Sequence, residues 1–429
     1  MFKRSFVALA AVLLVASGLW ANGLNLNGLG ARATSMGGAF VGLADDYTAV
    51  YWNPAGLAMI QKPTFGLTGE LLVPTSTYGF TGFEMKTEKK LYPAGILGYF
   101  TPISKNVVIG LGVFTPSGLG ADWVNPGLEE AMIFPLPPAA FTPAVGAYEW
   151  KSFIGQITIA PSVAVKFSEK VFFGATLNIN YGFFKTDQWG EFQVLPTKPP
   201  TLFNFGQATL DVKGWGVGAT FGLLVKPSDR VSFGLTYRLQ SKMKLSGTTT
   251  LENLPLLNPA LPDTTPSKLN ATNPMWLAGG VAVKPLTNLT LTFDLQWTNW
   301  KKLDVLDVTF SDPAWLAAGE TGNTLELLWA DKTQIRFGAE YAKGNLAFRA
   351  GYYYDPAPAP DETMNILIPS FTYNSFQLGF GYKMGSSCLD LCVEYLAGRK
   401  RTITSETASM PGIFTMNIWV PMLSFSHSF

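Results

Sequence analysis

Residues 22–57 read NGLNLNGLGARATSMGGAFVGLADDYTAVYWNPAGL, and nothing later in the chain resembles them. The segment is rich in glycine, alanine and small polar residues and closes on Asn53-Pro54-Ala55-Gly56. It is too apolar for a free tail. Gly23, Gly28, Gly30, Gly37, Gly38 and Gly42 also break it too often for one long helix, since glycine inside a helix costs roughly 0.5–1 kcal/mol relative to alanine. A piece of this kind has to be packed inside something.

The flanking sequence says what. Upstream, Lys3 and Arg4 precede an apolar run from Phe6 to Trp20 and then Ala21, the layout of a secretory signal peptide over residues 1–21. Downstream, no stretch supplies the roughly 20 apolar residues that a membrane-spanning helix needs. The most apolar one, Ala131 to Tyr148, carries Pro135, Pro137, Pro138 and Pro143. An exported chain of this kind is either soluble or a β-barrel. Charged residues are only 14% of the chain against 47% hydrophobic and 14% aromatic, well below the roughly 25% charge of a soluble domain. The barrel is favoured. With 31 basic and 30 acidic residues there is no electrostatic reason to expect nucleic acid as a partner. Cys388 and Cys392, four apart in one strand pattern, would lie about 13 Å apart and are expected to be free thiols on one face.

From Thr64 onward apolar residues recur at every second position. Phe65, Leu67, Leu71 and Val73 share one face, as do Phe173, Leu177 and Tyr181, then Trp215, Val217, Phe221 and Leu223, then Phe233, Leu235 and Tyr237. Fourteen such strands can be marked between 64 and 429. Their connections alternate in length: turns at 103–105, 168–169, 227–229, 285–287, 343–344 and 384–386, and long loops at 75–91, 117–152, 185–206, 247–273, 301–331, 355–371 and 398–412. Even strand number, with tight turns at one end and long loops at the other, is the layout of a bacterial outer-membrane barrel. The expectation is an all-β, 14-stranded antiparallel transmembrane β-barrel, residues 62–429, around an N-terminal hatch with short helices, residues 22–61.

Residues 28–58, GLGARATSMGGAFVGLADDYTAVYWNPAGLA, resemble the hatch of the FadL-type outer-membrane transport proteins, whose hatch motif Asn53, Pro54 and Ala55 match. The resemblance extends along the chain through GLGVFTPSGLGADW at 110–123, GLTYRLQSKMKLSG at 234–247, NPMWLAG at 273–279, QWTNW at 296–300 and FRAGYYYDPAPAPDE at 348–362. It implies passive uptake of long-chain fatty acids or similar hydrophobic compounds, aromatic or alkane hydrocarbons being the alternative within the family. No cofactor is implied. Leu423, Phe425, His427 and the terminal Phe429 share a face and resemble the signal read by the barrel-assembly machinery, with outer-membrane lipid as the other expected partner.

Three features bear on mechanism. Pro116 and Gly118 interrupt the third strand; in the family an inward kink there makes a lateral opening, while the simpler reading ends the strand at Thr115. The loop from Leu119 to Trp150 carries Trp123, Phe134 and Phe141, either a first capture site for ligand or loop packing. With the apolar face outward, Lys166, Arg238, Asp294, Arg336, Glu340, Arg349, Asp390 and Glu394 point into the lumen. Arg336, near mid-barrel, could accept a ligand carboxylate, or the arginines could pair with Glu340, Asp390, Glu394 and hatch Asp45 or Asp46 to hold the plug. A polar-solute porin and an outer-membrane lipid hydrolase are rivals. The first needs an open lumen, and the second needs a base where the only histidine is His427.

Overall fold

The period-2 alternation closes on itself. The computed structural model describes residues 25–80, 82–124, 141–142, 148–190, 192–195, 201–319, 321–404 and 408–429, so the signal peptide reading lies outside them. The wall is a closed barrel of 14 antiparallel strands: β1 (Thr64–Phe80), β2 (Phe83–Thr87 and Tyr92–Pro102), β3 (Val107–Val124), β4 (Trp150–Lys166), β5 (Val171–Trp189), β6 (Gln207–Ser228), β7 (Val231–Arg238 and Ser241–Leu251), β8 (Thr264–Asn273 and Trp276–Leu286), β9 (Leu289–Thr298), β10 (Lys332–Lys343), β11 (Leu346–Asp355), β12 (Tyr373–Met384), β13 (Ser387–Gly398) and β14 (Gly412–Ser428). β14 pairs with β1 from Thr64↔Ser428 to Gly79↔Ile413, which removes the free edge. Leu67, Phe173, Trp215, Val217, Phe233, Phe337, Phe348 and Leu423 are exposed on the outer face, as their alternation requires. No helix is long and apolar enough to cross a membrane among the described residues; the strands do it.

Strand extends further into the long connections than the sequence indicated, as at Phe83–Thr87 within 75–91. Residues 264–273 continue β8, paired with β7 from Ser241↔Asn273 to Thr250↔Thr264. Residues 301–331 hold a second hairpin, Val305–Phe310 against Gly322–Glu326, and a helical turn, Pro313–Ala317. The outward positions in the β7–β8 extension are Lys242, Lys244, Ser246, Thr248, Pro266, Lys268 and Asn270, all exposed. Wall that stands clear of the hydrocarbon keeps its polar face, so the apolar signal that marks a strand vanishes there.

The third strand does not end at Thr115. It runs on to Val124 through a bulge: Phe114 pairs with Thr158 of β4, and Ser117 with Gln156. One extra residue shifts the phase, as β-bulges do. On its other edge the ladder to β2 runs only from Val108 to Phe114, opposite Ile96, and resumes where Glu88 donates to the Asp122 carbonyl at 2.8 Å and Thr87 pairs with Trp123. Among the described residues, Thr115 to Ala121 have no ladder partner in β2.

Inside sits the hatch. Its first helix, α1 (Ala31–Ser35), stops at Gly37 and Gly38, both left-handed at φ +67° and +62°, whose N–H groups donate to Thr34 and Ala33 carbonyls. A turn of helix, α2 (Ala49–Trp52), leads to a 3₁₀ turn, Pro54–Met59. Leu29, Ala33, Met36, Phe40, Val50 and Trp52 are fully or almost fully buried against the wall. Above it, Met364, Ile366, Ile368 and Phe371 fold inward and form one apolar cluster with Trp123, Trp300, Leu327 and Trp329.

Candidate functional site

Short helices leave most hatch backbone groups without a partner, and the wall supplies them. Asp294 accepts from Val41 N at 2.7 Å, Ser232 donates to the Gly42 carbonyl at 2.6 Å, Thr236 to the Trp52 carbonyl at 2.9 Å, and Glu70 accepts from Gly30 N at 2.9 Å. Asn53 is the clasp of the predicted motif. Its Nδ2 donates to Val41 and Leu223 carbonyls at 2.9 and 3.1 Å, and its Oδ1 accepts from Ala55 N at 3.1 Å, starting the 3₁₀ turn with Pro54 at its head. The wall meets this motif with glycine. A Cβ on Gly222 would overlap Asn53 Oδ1, and one on Gly234 would overlap the Val41 carbonyl.

The lumen above the hatch holds three spaces that share Asn25 on their lining. The first, about 440 Å³, is polar: Gln156, Thr158, Asn178, Asn180, Ser241, Asn273 and Arg238 line it with Phe114, Pro116, Ser117 and Trp276. The second and third, each about 660 Å³, are mainly apolar. Ser117, Gln156, Asn273 and Pro274 join the polar space to the third, whose walls include Phe183, Phe184, Met243, Leu245, Trp300 and Ile368. A fourth space of about 1160 Å³ lies at the short-turn end and shares no lining residue with the others. The hatch stands between them.

The lumen arginines divide. Arg336, 2% exposed, donates to the Asn27 carbonyl at 2.8 Å, the Gly37 carbonyl at 3.2 Å and Gln334 Oε1 at 2.6 Å, and its guanidinium packs on the Tyr353 ring. It is bonded to the hatch. Arg349 bridges Glu340 and Asp390 at 2.6 Å each, and hatch Arg32 pairs with Glu340, Asp45 and Asp46. Burial raises the Asp46 carboxyl above its ordinary range, with Arg32 opposing the shift. Arg238 gives Nε to Thr220 and Nη2 to the Tyr51 carbonyl and stacks between Tyr51 and Trp276, 4.6 Å from each centroid. Its Nη1 makes no hydrogen bond among the described residues, and it lines the polar space.

Pro116 and Gly118 both line these spaces, and the Pro116 carbonyl accepts from Leu26 N of the hatch at 3.0 Å. Trp123, at the end of β3, is buried and donates to the Ile366 carbonyl at 2.9 Å. Phe134 lies outside the described residues; Phe141 falls in a two-residue strand, Phe141–Thr142, paired with Leu202 and Phe203. Arg32 and Glu70 were not singled out from sequence. Arg32 sits in the hatch rather than the alternating wall, and Glu70 interrupts an outwardly unremarkable strand.

A closed 14-stranded barrel, apolar outside and plugged inside by an N-terminal hatch, defines an outer-membrane transport protein. Residues 138–429 match the family described as outer membrane protein transport protein (OMPP1/FadL/TodX), and the chain belongs to it. A long-chain fatty acid transport protein of Escherichia coli O6:H1 is 25% identical over 100% of this chain and 99% of its own. Among solved structures, a Pseudomonas aeruginosa FadL homologue superposes with TM-score 0.74 at 18% identity over 95% of this chain and all of its own. The Pseudomonas putida toluene transporter TodX gives 0.71 at 17% identity over 94% and 99%.

Proposed function

We propose that this protein carries long-chain fatty acids or similar amphipathic hydrophobic compounds passively across the outer membrane. Ligand is captured by the extracellular loops, held in the lumen above the hatch, and released sideways between β2 and β3. One observation carries the reading: a polar space with an available guanidinium opens directly into an apolar one. Arg238 would take the carboxylate while the chain lies along Phe183, Phe184, Met243 and Trp300. Arg336 then serves as the latch of the hatch, the plug-holding role among the two that its position allowed.

The lateral route is supported by the unmade ladder at Thr115–Ala121, since a stretch of wall without its strand partner is the cheapest place to part it. The Leu26–Pro116 hydrogen bond ties that stretch to the hatch, so ligand that displaces Asn25 and Leu26 would free both together.

Displacement of a fluorescent long-chain fatty acid by palmitate and by toluene tests the reading. Arg238→Ala is expected to weaken palmitate by about 10- to 100-fold, the worth of a charge-assisted hydrogen bond, and to leave toluene unchanged. Toluene displacement with no effect of palmitate would make this a hydrocarbon channel. Deleting Pro116 removes the extra residue of the bulge and should abolish most uptake into cells while palmitate still binds; undiminished uptake would remove the lateral exit.

A further inference from the structure

The second lumen space has the opposite electrostatic character to the one that holds Arg238. Glu70 on β1 and Glu394 on β13 flank β14, opposite Met422 and Val420, so two strand spacings and a two-residue offset put their backbones roughly 12 Å apart. Both are almost fully buried, at 2% and 3% exposure, and both line this cavity of about 660 Å³. Each spends one oxygen on the protein. Glu70 Oε1 accepts from Gly30 N; Glu394 Oε1 accepts from Tyr353 Oη at 2.7 Å, Gln377 Nε2 at 2.9 Å and Ser375 Oγ at 3.0 Å. Among the described residues the other oxygen of each takes no hydrogen bond.

Among the described residues no lysine or arginine lines the space. Its third carboxylate, Asp355, accepts from Asn27 and Gln334, and these same two residues accept from Arg336. Among the described residues Glu70 has no cationic partner, and Glu394 feels Arg336 only from behind the Tyr353 ring. The remaining wall is aromatic and soft: Tyr353, Phe371, Tyr373, Leu396, Met416, Ile418 and Met422.

An anion entering here meets two carboxylates, and a neutral hydrocarbon leaves two buried oxygens unsatisfied. A hydrophobic cation answers both, with aromatic faces and carboxylates around its head and apolar wall along its tail. We propose that this chamber is a binding site for hydrophobic ammonium compounds, separate from the acid-binding space at Arg238 and independent of it. Gly118 and Leu119 of the bulged strand also line it, which places it beside the unpaired edge of β3.

The test uses the full barrel in lipid nanodiscs, titrated calorimetrically with octyltrimethylammonium, octanol and octanoate against empty nanodiscs. Octyltrimethylammonium is expected to bind at least about tenfold tighter than octanol and to resist displacement by octanoate. The double variant Glu70→Gln and Glu394→Gln, which keeps shape and hydrogen bonding, should lose that tenfold; Arg238→Ala should keep it. Equal affinity for octanol and the ammonium compound in the native protein would overturn the proposal without any variant, and so would unchanged ammonium binding in the folded double variant. Loss of the fatty-acid reading alone would show as absent palmitate binding with the ammonium order intact.

Discussion

Valine at position 222 unseats the hatch and turns a plugged barrel into a conducting one. The Cβ would lie 2.8 Å from the Ala55 nitrogen and closer still to Asn53 Oδ1, so the clasp cannot stay where it is. Asn53 then loses its bonds to the Val41 and Leu223 carbonyls and to Ala55 N. Each buried polar group left without a partner costs about 1–3 kcal/mol, and three such losses exceed what a hatch with only two short helices can absorb. The wall itself should not suffer, because valine suits a strand better than glycine does. Gly222→Val is therefore expected to give long-lived conductance steps in planar bilayers while keeping the heat-resistant electrophoretic mobility of a folded barrel. Gly69→Val is the matched control: its Cβ would meet nothing within 4 Å, and it should remain as silent as the native protein. A silent Gly222→Val barrel would show that the clasp does not hold the plug.

This dependence on glycine explains what the sequence could and could not reveal. A strand announces itself by its outward face, since lipid demands apolar side chains at every second position. Leu67, Phe173, Trp215 and Phe337 do so, and they are where the alternation put them. The inward face carries no such rule. Gly222 and Gly234 look like weak strand residues until the hatch is seen against them, and Arg238 and Arg336 occupy equivalent inward positions in their strands. Only the path of the hatch decides that Arg336 meets Asn27 and Gly37 while Arg238 keeps one nitrogen for the cavity. The bulge in β3 was half legible. Pro116 marked an irregularity, but the continuation to Trp123 depends on pairing with Trp150 of β4, a partner that lies beyond a long loop. The far end of β7 after Ser246 and the first segment of β8, Thr264–Asn273, escaped notice for the converse reason, since their outward face is polar.

Arg32→Ala should loosen the hatch from the other end. Arg32 leaves α1 for the short-turn vestibule, where its Nε meets Glu340 Oε2 at 3.0 Å and its Nη1 meets Asp46 at 3.4 Å and Asp45. Arg349 holds the far side of Glu340 and reaches Asp390. Two guanidinium groups thus serve four carboxylates, and the one they share, Glu340, ties the vestibule end of the hatch to β10. Without Arg32, Glu340 keeps Arg349, but Asp45 and Asp46 lose their counter-charge within the plug. Breaking a buried pair from one side costs about 3–5 kcal/mol; the 19% exposure of the Arg32 side chain places this case at about 3 kcal/mol, or roughly a hundredfold in the undocking equilibrium. Cys392 reports it. That thiol is buried on the lumen face of β13, between Asp390 in the vestibule and Glu394 in the chamber above, where α1 packs. In a Cys388→Ser background, a membrane-impermeant thiol reagent applied from the short-turn side should modify Cys392 about a hundred times faster in Arg32→Ala than in the parent. Arg32→Lys should fall between them, because an ammonium cannot span Glu340 and the two aspartates as the fork of a guanidinium does. Equal labelling rates in all three would mean that the hatch is held by its uncharged clasp and the wall groups above it, and that the vestibule charges only line its floor.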